Sequence, residues 1–275
     1  MDVIYFGTDV FLPCFEYFLK NHSIKALYTY HNDEDYFTEY EIVKRAEALG
    51  IPVHYEDVSP DTTREYFKNG VSLYFVAEYD RIIEIPDDLP SFRGVNVHSS
   101  ALPEGRSYYP IEAAMERGLT HTGVTMHKLK PKLDSGEILA RRTFGITPDT
   151  DSVDVYLTCA SYALEMTEEV FSDFDASWNN AVIQNEKLPY WKRPDKEKMT
   201  ITHETDVNGA LEMFRRYNSM TEVVISGRPY FVRSVMSGRA PLPSGEIRLS
   251  DDLFLYSVKD GHLRLTIKPV IKDGM

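Results

Sequence analysis

Asn96 and His98 stand two residues apart in the run "GVNVHSSALPEGRS", and Asp134 follows in "KPKLDSGE". An amide donates hydrogen bonds without changing charge. An imidazole, with an ordinary pKa near ~6.5, either donates a hydrogen bond or takes up a proton at neutral pH. A carboxylate orients an imidazole or caps a turn. Each residue also has a plain structural reading: a lone histidine on a buried strand is commonly a hydrogen-bonded core residue, and a single aspartate in a turn commonly binds its own backbone. Position favours chemistry. Spacing of two puts Asn96 and His98 on one face of a strand, and the turn-rich loop "SSALPEGRS" begins directly after it.

The elements that would hold these residues alternate strand and helix. "DVIYFG" reads as a short buried strand with a glycine for a sharp exit, and "VFLPCFEYFLKN" as a helix. "IKALYTY", "IPVHYE", "VSLYFVA" and "FRGVNVH" read as further strands. "DYFTEYEIVKRAEALG", "DTTREYFKNG" and a segment from Pro110 to Arg117 read as helices between or after them. Such alternation predicts a Rossmann-like, doubly wound, mostly parallel sheet. In that architecture ligands bind beyond the carboxyl ends of the strands, which is where "NVH" ends. "THTGVTMHKL" and "GEILARRTFGI" add two strands joined by a long loop, and "VDVYLTCASYALEMTEEVFSDF" is a long amphipathic helix. "NEKLPYWKRPDKEKMTI" then carries two prolines and no periodicity. We therefore expect a catalytic domain over 1–187, a linker over 188–204 and a small domain over 205–275. The last has one helix and short glycine-punctuated strands, as in a small open barrel of OB type.

The chain has 275 residues, 43% hydrophobic and 27% charged, as in an ordinary soluble protein. No apolar run approaches the roughly 18–20 residues of a spanning helix, and "MDVIYFGTDV" has no signal-peptide character. Cys14 and Cys159 sit in apolar helical patterns without metal spacing. Together these features predict a cytoplasmic protein with reduced thiols and no membrane partner. The net charge is −13, with residues 196–275 holding 12 Lys+Arg against 10 Asp+Glu and the rest 18 against 33. That balance repels nucleic acid unless a basic face is segregated. Neither paired cysteines nor HExxH predicts a metal, and neither GxGxxG nor a phosphate loop predicts a nicotinamide or nucleoside triphosphate enzyme. His121 and His127 read as local hydrogen-bonding residues, and Trp191 as linker packing.

The motifs "FGT", "NVHSSALPEGR", "PIEAAMERG", "TGVTMHKLKPKLDSGEI" and "YWKRPDKEKMTI" occur in the order found in the 10-formyltetrahydrofolate-dependent formyltransferases, and the chain resembles that family over nearly its whole length. The resemblance implies the formyltransferase fold, 10-formyltetrahydrofolate as co-substrate, and Asn96, His98 and Asp134 as the catalytic trio. It implies a pterin pocket between Arg81, Ile82 and Ile83 on one side and Lys130 and Leu133 on the other. Thr8, Arg106 and Tyr108 are the residues placed to meet the acceptor: Thr8 at a helix N-terminus, Arg106 as a fork of donors on a surface loop, and Tyr108 as a stacking ring. Two positions depart from the family's usual reading, Ser99 for proline and Ser107 for glycine. Both fall in the loop that shapes the acceptor pocket.

The expected activity is formyl transfer to a primary amine on a small molecule, a nucleotide-linked amino sugar. The alternative is a methionyl-tRNA acceptor, with identical chemistry. In the tRNA enzymes the loop after the second strand is long and basic, whereas here it reads "HNDEDYFTEYE". A more distant alternative is a folate-binding protein without turnover. The resemblance also makes a homodimer the default state.

Overall fold

The computed structural model describes residues 1–30, 40–184, 188–240, 242 and 245–270. They fall into two compact units, one drawing on residues 1–30, 40–147 and 154–192, the other on 148–153 and 193–270. The acidic run 31–39 lies outside the described residues.

The first unit opens with β1 (Asp2–Gly7), α1 (Leu12–Asn21) and β2 (Ser23–Tyr28). It continues through α2 (Glu41–Ala48), β3 (Val53–His54), α3 (Pro60–Lys68) and β4 (Leu73–Ala77). β5 (Gly94–His98), α4 (Pro110–Glu116), β6 (His121–Lys128), β7 (Ile138–Gly145), α5 (Ser152–Ser172) and α6 (Phe174–Asn179) follow. The sheet runs in the order β3-β2-β1-β4-β5-β6-β7. All neighbours are parallel until β6, which runs antiparallel to β5, and β7, antiparallel to β6. The sequence expectation of a mostly parallel, doubly wound sheet therefore describes this unit. Strand order reverses between β1 and β4, the kind of point at which such sheets bind ligands beyond their strand ends. A Cβ on Gly7 would come 2.2 Å from the Ala77 carbonyl oxygen. The glycine at the end of β1 is thus required by the close approach of β4, rather than by the sharp exit read from sequence.

Aromatic rings fill much of the core. Tyr5, Tyr74, Phe6, Phe15, Phe18 and Phe75 are fully buried. Phe18 stands at the hub: its ring centroid lies 4.5 Å from that of Phe75, 5.0 Å from Phe171 and 6.2 Å from Tyr5. Several of the chain's tyrosines, Tyr5, Tyr28 and Tyr74 among them, thus serve packing. Helix starts follow their local chemistry. Ser59 accepts a hydrogen bond from the Thr62 N–H at 3.1 Å ahead of Pro60. The Asp9 carboxylate, far away in sequence, takes the first two N–H groups of α2, from Glu41 at 2.7 Å and Ile42 at 2.8 Å.

The second unit contains β8 (Thr200–Ile201), α7 (Val207–Tyr217), β9 (Glu222–Ile225), β10 (Arg228–Gly238), β11 (Glu246–Arg248), β12 (Leu253–Val258) and β13 (Gly261–Pro269). Its sheet runs β11-β12-β13-β10-β9-β8. Only β8 is parallel to its neighbour. Ile201, Val223, Val232, Leu263 and Leu265 form the fully buried centre of its core. β8 lies inside the stretch expected as linker. Two residues are too few to carry a periodic signal, yet Thr200 and Ile201 pair with Glu222 and Val223. Structure of the second unit therefore begins ahead of the predicted boundary at 205. No helix among the described residues is long and apolar enough to cross a membrane.

Phe18→Ala should destabilise the protein by about 3–5 kcal/mol, the cost of a large void at an aromatic hub, read as a lowered midpoint in guanidinium. A loss under ~1 kcal/mol would mean that the neighbouring rings close over the void.

Candidate active site

The site is built on the edge where the sheet turns from parallel to antiparallel. Asn96 and His98 occupy one face of β5. The antiparallel register sets His127 opposite Asn96 and Thr125 opposite His98, so the four side chains share that face. Thr125 holds the loop after β5: its hydroxyl donates to the Ser100 carbonyl at 2.7 Å and accepts from the Leu102 N–H at 3.1 Å. Arg141 reaches from β7 to the Leu102 carbonyl at 2.6 Å. The loop then bends through Gly105, at φ 81°, whose carbonyl accepts from His98 Nε2 at 2.9 Å. A side chain there would meet Ser100 at 2.7 Å, so glycine is needed both for the left-handed backbone and for the close approach.

Asp134 arrives from the loop after β6. That loop doubles back: a Cβ on Gly136 would fall 1.8 Å from the Lys128 carbonyl oxygen, so only glycine permits the return. Asp134 itself adopts φ 49°, a left-handed conformation that costs a non-glycine residue about 1–3 kcal/mol and collects at functional sites. The outcome is a carboxylate between two imidazoles. Asp134 Oδ1 is 3.6 Å from His98 Nδ1 and 3.7 Å from His127 Nε2. All three side chains are buried, none more than 8% exposed. Asn96 Nδ2 lies 3.1 Å from His127 Nε2, and His127 Nδ1 lies 2.8 Å from the Lys128 carbonyl. Because Nδ1 faces an acceptor it carries the hydrogen in the neutral ring, leaving Nε2 to accept from the Asn96 amide. The structure thus brings together Asn96, His98 and Asp134. It adds His127, whose local bond to Lys128 was expected from sequence and whose place between Asn96 and Asp134 was not.

The electrostatics separate the two buried titrating groups. Burial is the largest influence on His98 and pushes its pKa below the ordinary imidazole value. Asp134 and the Gly105 carbonyl oppose that shift, while His127 and Arg106 add to it. Burial also works against ionisation of Asp134. The two imidazoles and the Ser107 N–H nevertheless outweigh it and hold the carboxyl below its usual range. At neutral pH the arrangement is an ionised carboxylate beside a neutral, basic His98.

The other predicted residues are placed differently. Arg106, read as a surface-loop arginine, is 5% exposed, with Nη2 donating to Gln184 Oε1 at 2.7 Å. Folding of the loop back over β5 accounts for the difference. Thr8 is buried at the end of β1 and makes no capping bond to the short turn Asp9–Phe11. Tyr108 is half exposed. Arg81 is anchored to the Tyr55 carbonyl at 2.6 Å and to Asp57 at 3.1 Å. Ile82 projects to solvent and Ile83 is buried. Lys130 pairs with Glu137 at 3.6 Å, and the Leu133 carbonyl accepts from the Tyr190 hydroxyl at 2.8 Å. The Trp191 N–H donates to the Arg106 carbonyl at 2.9 Å, and Arg117 covers the indole at 4.8 Å. Ser107 replaces the family's usual glycine and uses its hydroxyl to accept from the Tyr109 N–H at 3.0 Å. Ser99 packs beside the buried Cys159 thiol, which burial raises to about 12. Sequence reading passed over Glu112, a buried acid in the first turn of α4 that accepts from the Tyr156 hydroxyl at 3.1 Å. Its one signal was a lone charge in the apolar run "PIEAAM".

A doubly wound sheet thus carries an amide, two imidazoles and a carboxylate gathered on one face at its antiparallel edge, groups able to donate hydrogen bonds and exchange a proton. Residues 43–170 match the formyl transferase family, and the relatives and solved neighbours of the chain support a formyltransferase with formyl-tetrahydrofolate as formyl donor. It is 28% identical over 210 residues to a protein named methionyl-tRNA formyltransferase from Listeria innocua, over 72% of this chain and 67% of that one. In fold it is similar to HypX from Aquifex aeolicus (TM-score 0.74, 16% identity), over 99% of this chain but only 45% of HypX. It is also similar to an N-formyltransferase from Helicobacter canadensis solved with folinic acid and dTDP-3-aminofucose (TM-score 0.58, 18% identity), over 97% and 98% of the two chains.

Asp134→Asn tests the electrostatic assignment without any substrate. Asp134 is the main influence raising His98, so removing its charge should move the His98 pKa further down from ~6.5, measured by NMR titration. An unchanged or higher value would exclude direct coupling.

Proposed function

We propose that the chain moves the formyl group of 10-formyltetrahydrofolate to a primary amine carried by a nucleotide-linked amino sugar. The observation that carries the chemistry is the buried Asp134 carboxylate set beside a His98 whose pKa is pushed down. A base for an acceptor amine must be unprotonated at neutral pH, and burial secures that.

In this reading the acceptor nitrogen attacks the formyl carbon, and the former carbonyl oxygen takes up negative charge. The Asn96 amide gives one N–H to His127 and has the other for that oxygen. The new C–N bond leaves a proton in excess on the acceptor nitrogen. With His98 Nε2–H committed to the Gly105 carbonyl, Nδ1 is the basic nitrogen that receives it. The imidazolium so formed turns its Nδ1–H toward the ionised Asp134. Collapse breaks the bond from carbon to the folate nitrogen, and the proton passes to that leaving nitrogen. The products are the formylated amine and tetrahydrofolate. Arg81, Ile82, Ile83, Lys130 and Leu133 remain our candidates for the pterin pocket, and Thr8, Arg106 and Tyr108 for the acceptor side. The two buried free thiols, Cys14 and Cys159, fit a reducing, cytoplasmic setting.

Charge supports the sugar acceptor. Outside residues 196–275 the chain holds 18 Lys+Arg against 33 Asp+Glu, a poor partner for a polyanion whose binding rests on phosphate contacts. The Helicobacter canadensis protein, similar end to end, is one crystallised with a dTDP-amino sugar. The second reading, a methionyl-tRNA acceptor, draws on the names of the sequence relatives.

The test follows tetrahydrofolate release with methionyl-tRNA and with a panel of nucleotide-linked amino sugars in parallel. Turnover with a sugar alone is the expected result, and turnover with the tRNA alone would reverse the assignment. Asn96→Ala should lower kcat about 100- to 1,000-fold and His98→Ala about 100- to 10,000-fold, with folate affinity largely kept. Because His98 is displaced downward, the acidic limb of kcat/KM should fall below ~6.5, the ordinary imidazole value. A limb above it would remove His98 as the base.

A further inference from the structure

Gln184 follows α6 in a stretch with no catalytic signature, yet its side chain reaches both loops of the site. Ile138 and Val182 exchange two backbone hydrogen bonds of 2.8 Å, an isolated antiparallel bridge that pins Val182 at the start of β7. From there Gln184 Nε2 donates to the Gly136 carbonyl at 2.7 Å and to the Asp134 carbonyl at 3.1 Å. Its Oε1 accepts from Arg106 Nη2 at 2.7 Å. Arg106 sits in the loop after β5, Asp134 and Gly136 in the loop after β6. One half-buried amide therefore ties the strand-end loop that fixes His98 Nε2 to the turn that delivers the carboxylate. No amino acid but glutamine offers two donors and an acceptor at that length.

We propose that Gln184 is a positioning residue: by binding the Asp134 and Gly136 carbonyls and the Arg106 guanidinium together, it fixes the Asp134 carboxylate against His98. Two further observations show why the position needs holding. The Asp134 backbone is left-handed at φ 49°, a conformation that persists only where surroundings over-determine it. Arg106 is nearly fully buried, and its Nε has no hydrogen-bond partner among the described residues, so Gln184 supplies the side-chain anchor of that guanidinium. Arg106, His127 and Asp134 are the charged and titratable groups that act on His98, and Gln184 touches two of those three residues. The inference rests on the reading of His98 and Asp134 as catalytic machinery, but its geometry is testable without turnover.

The experiment compares wild type, Gln184→Ala and Gln184→Glu in the full chain, each checked for thermal unfolding. The ligand-free His98 titration is read by NMR, with the resonance assigned from His98→Gln. Formyl transfer is read as separate kcat and KM values. Loss of the amide should loosen Asp134, weaken its hold on the His98 proton and lower the His98 pKa in the direction of Asp134→Asn. The same loss should reduce kcat roughly 10- to 100-fold with little change in folate KM, the scale of a small misplacement of a catalytic group. Gln184→Glu keeps the shape and the acceptor for Arg106 but sets a carboxylate against two carbonyls, so it should fail to rescue and stands in if the alanine variant does not fold. A His98 titration identical to wild type overturns the proposal, whether or not kcat falls. Wild-type protein with no formyl transfer would sink the functional reading, while the titration would still decide the role of Gln184.

Discussion

An ionised carboxylate buried between two imidazoles is the constraint to which the rest of the site answers. Taken out of water alone, such a group would neutralise itself by taking a proton. Asp134 stays charged because the Ser107 N–H, and any proton carried by the flanking His98 and His127, favour the ionised form, and each of those partners must be held in turn. His127 is fixed through Lys128, His98 through Gly105, and the Asp134 peptide through Gln184. A shift of any one of them would expose the charge to a poorer environment. That explains why two glycines, Gly105 and Gly136, sit where a methyl group would collide with neighbouring atoms.

The change of strand direction at β6 is what makes this possible. In an all-parallel sheet the strand beside β5 would bring its own carboxyl end to the crevice, and the following loop would leave from there. Here β6 runs the other way, so Lys128 lies opposite Val95, near the start of β5. The loop after it has to return over the face of the sheet, and the return deposits Asp134 beside His98. The antiparallel register also sets His127 directly across from Asn96. Parallel strands supply the frame, and the antiparallel edge brings the two imidazoles and the carboxylate together.

The parallel half of the fold was legible because its central strands β1 and β4 are buried on both faces and so read as apolar runs bounded by turns. Asn96 and His98 were legible as a pair for the same reason, since spacing of two on a strand fixes a common face. Asp134 was not: nothing local distinguishes it from a turn-capping aspartate, and only resemblance to the formyltransferases singled it out. His127 carried the same ambiguity, because its bond to Lys128 is local while its bond to Asn96 depends on strand register. Gln184 gave no signal at all, since its three partners are 48 to 78 residues away and glutamine after a helix is unremarkable. β8 was hidden by its brevity. Arg106 was misplaced as a solvated arginine because burial of a charge by a loop folding back on itself leaves no trace in periodicity.

The acceptor question turns on what the family shares and what it does not. Proton transfer and oxyanion stabilisation involve atoms within one or two bonds of the reacting nitrogen, so they are the same for a sugar amine and for an aminoacyl-tRNA. Residues that perform them therefore carry no information about the rest of the acceptor. What differs is the charge the surface must meet. A tRNA acceptor demands many cationic contacts whose contribution scales with the number of phosphates neutralised. A nucleotide sugar presents two phosphates, which a few donors satisfy even on an acidic protein. Net charge thus discriminates between acceptors that the catalytic centre cannot, and at −13 it weighs toward the small one. Identity with the tRNA enzymes weighs less here, because it reports descent of a shared core that both acceptors use.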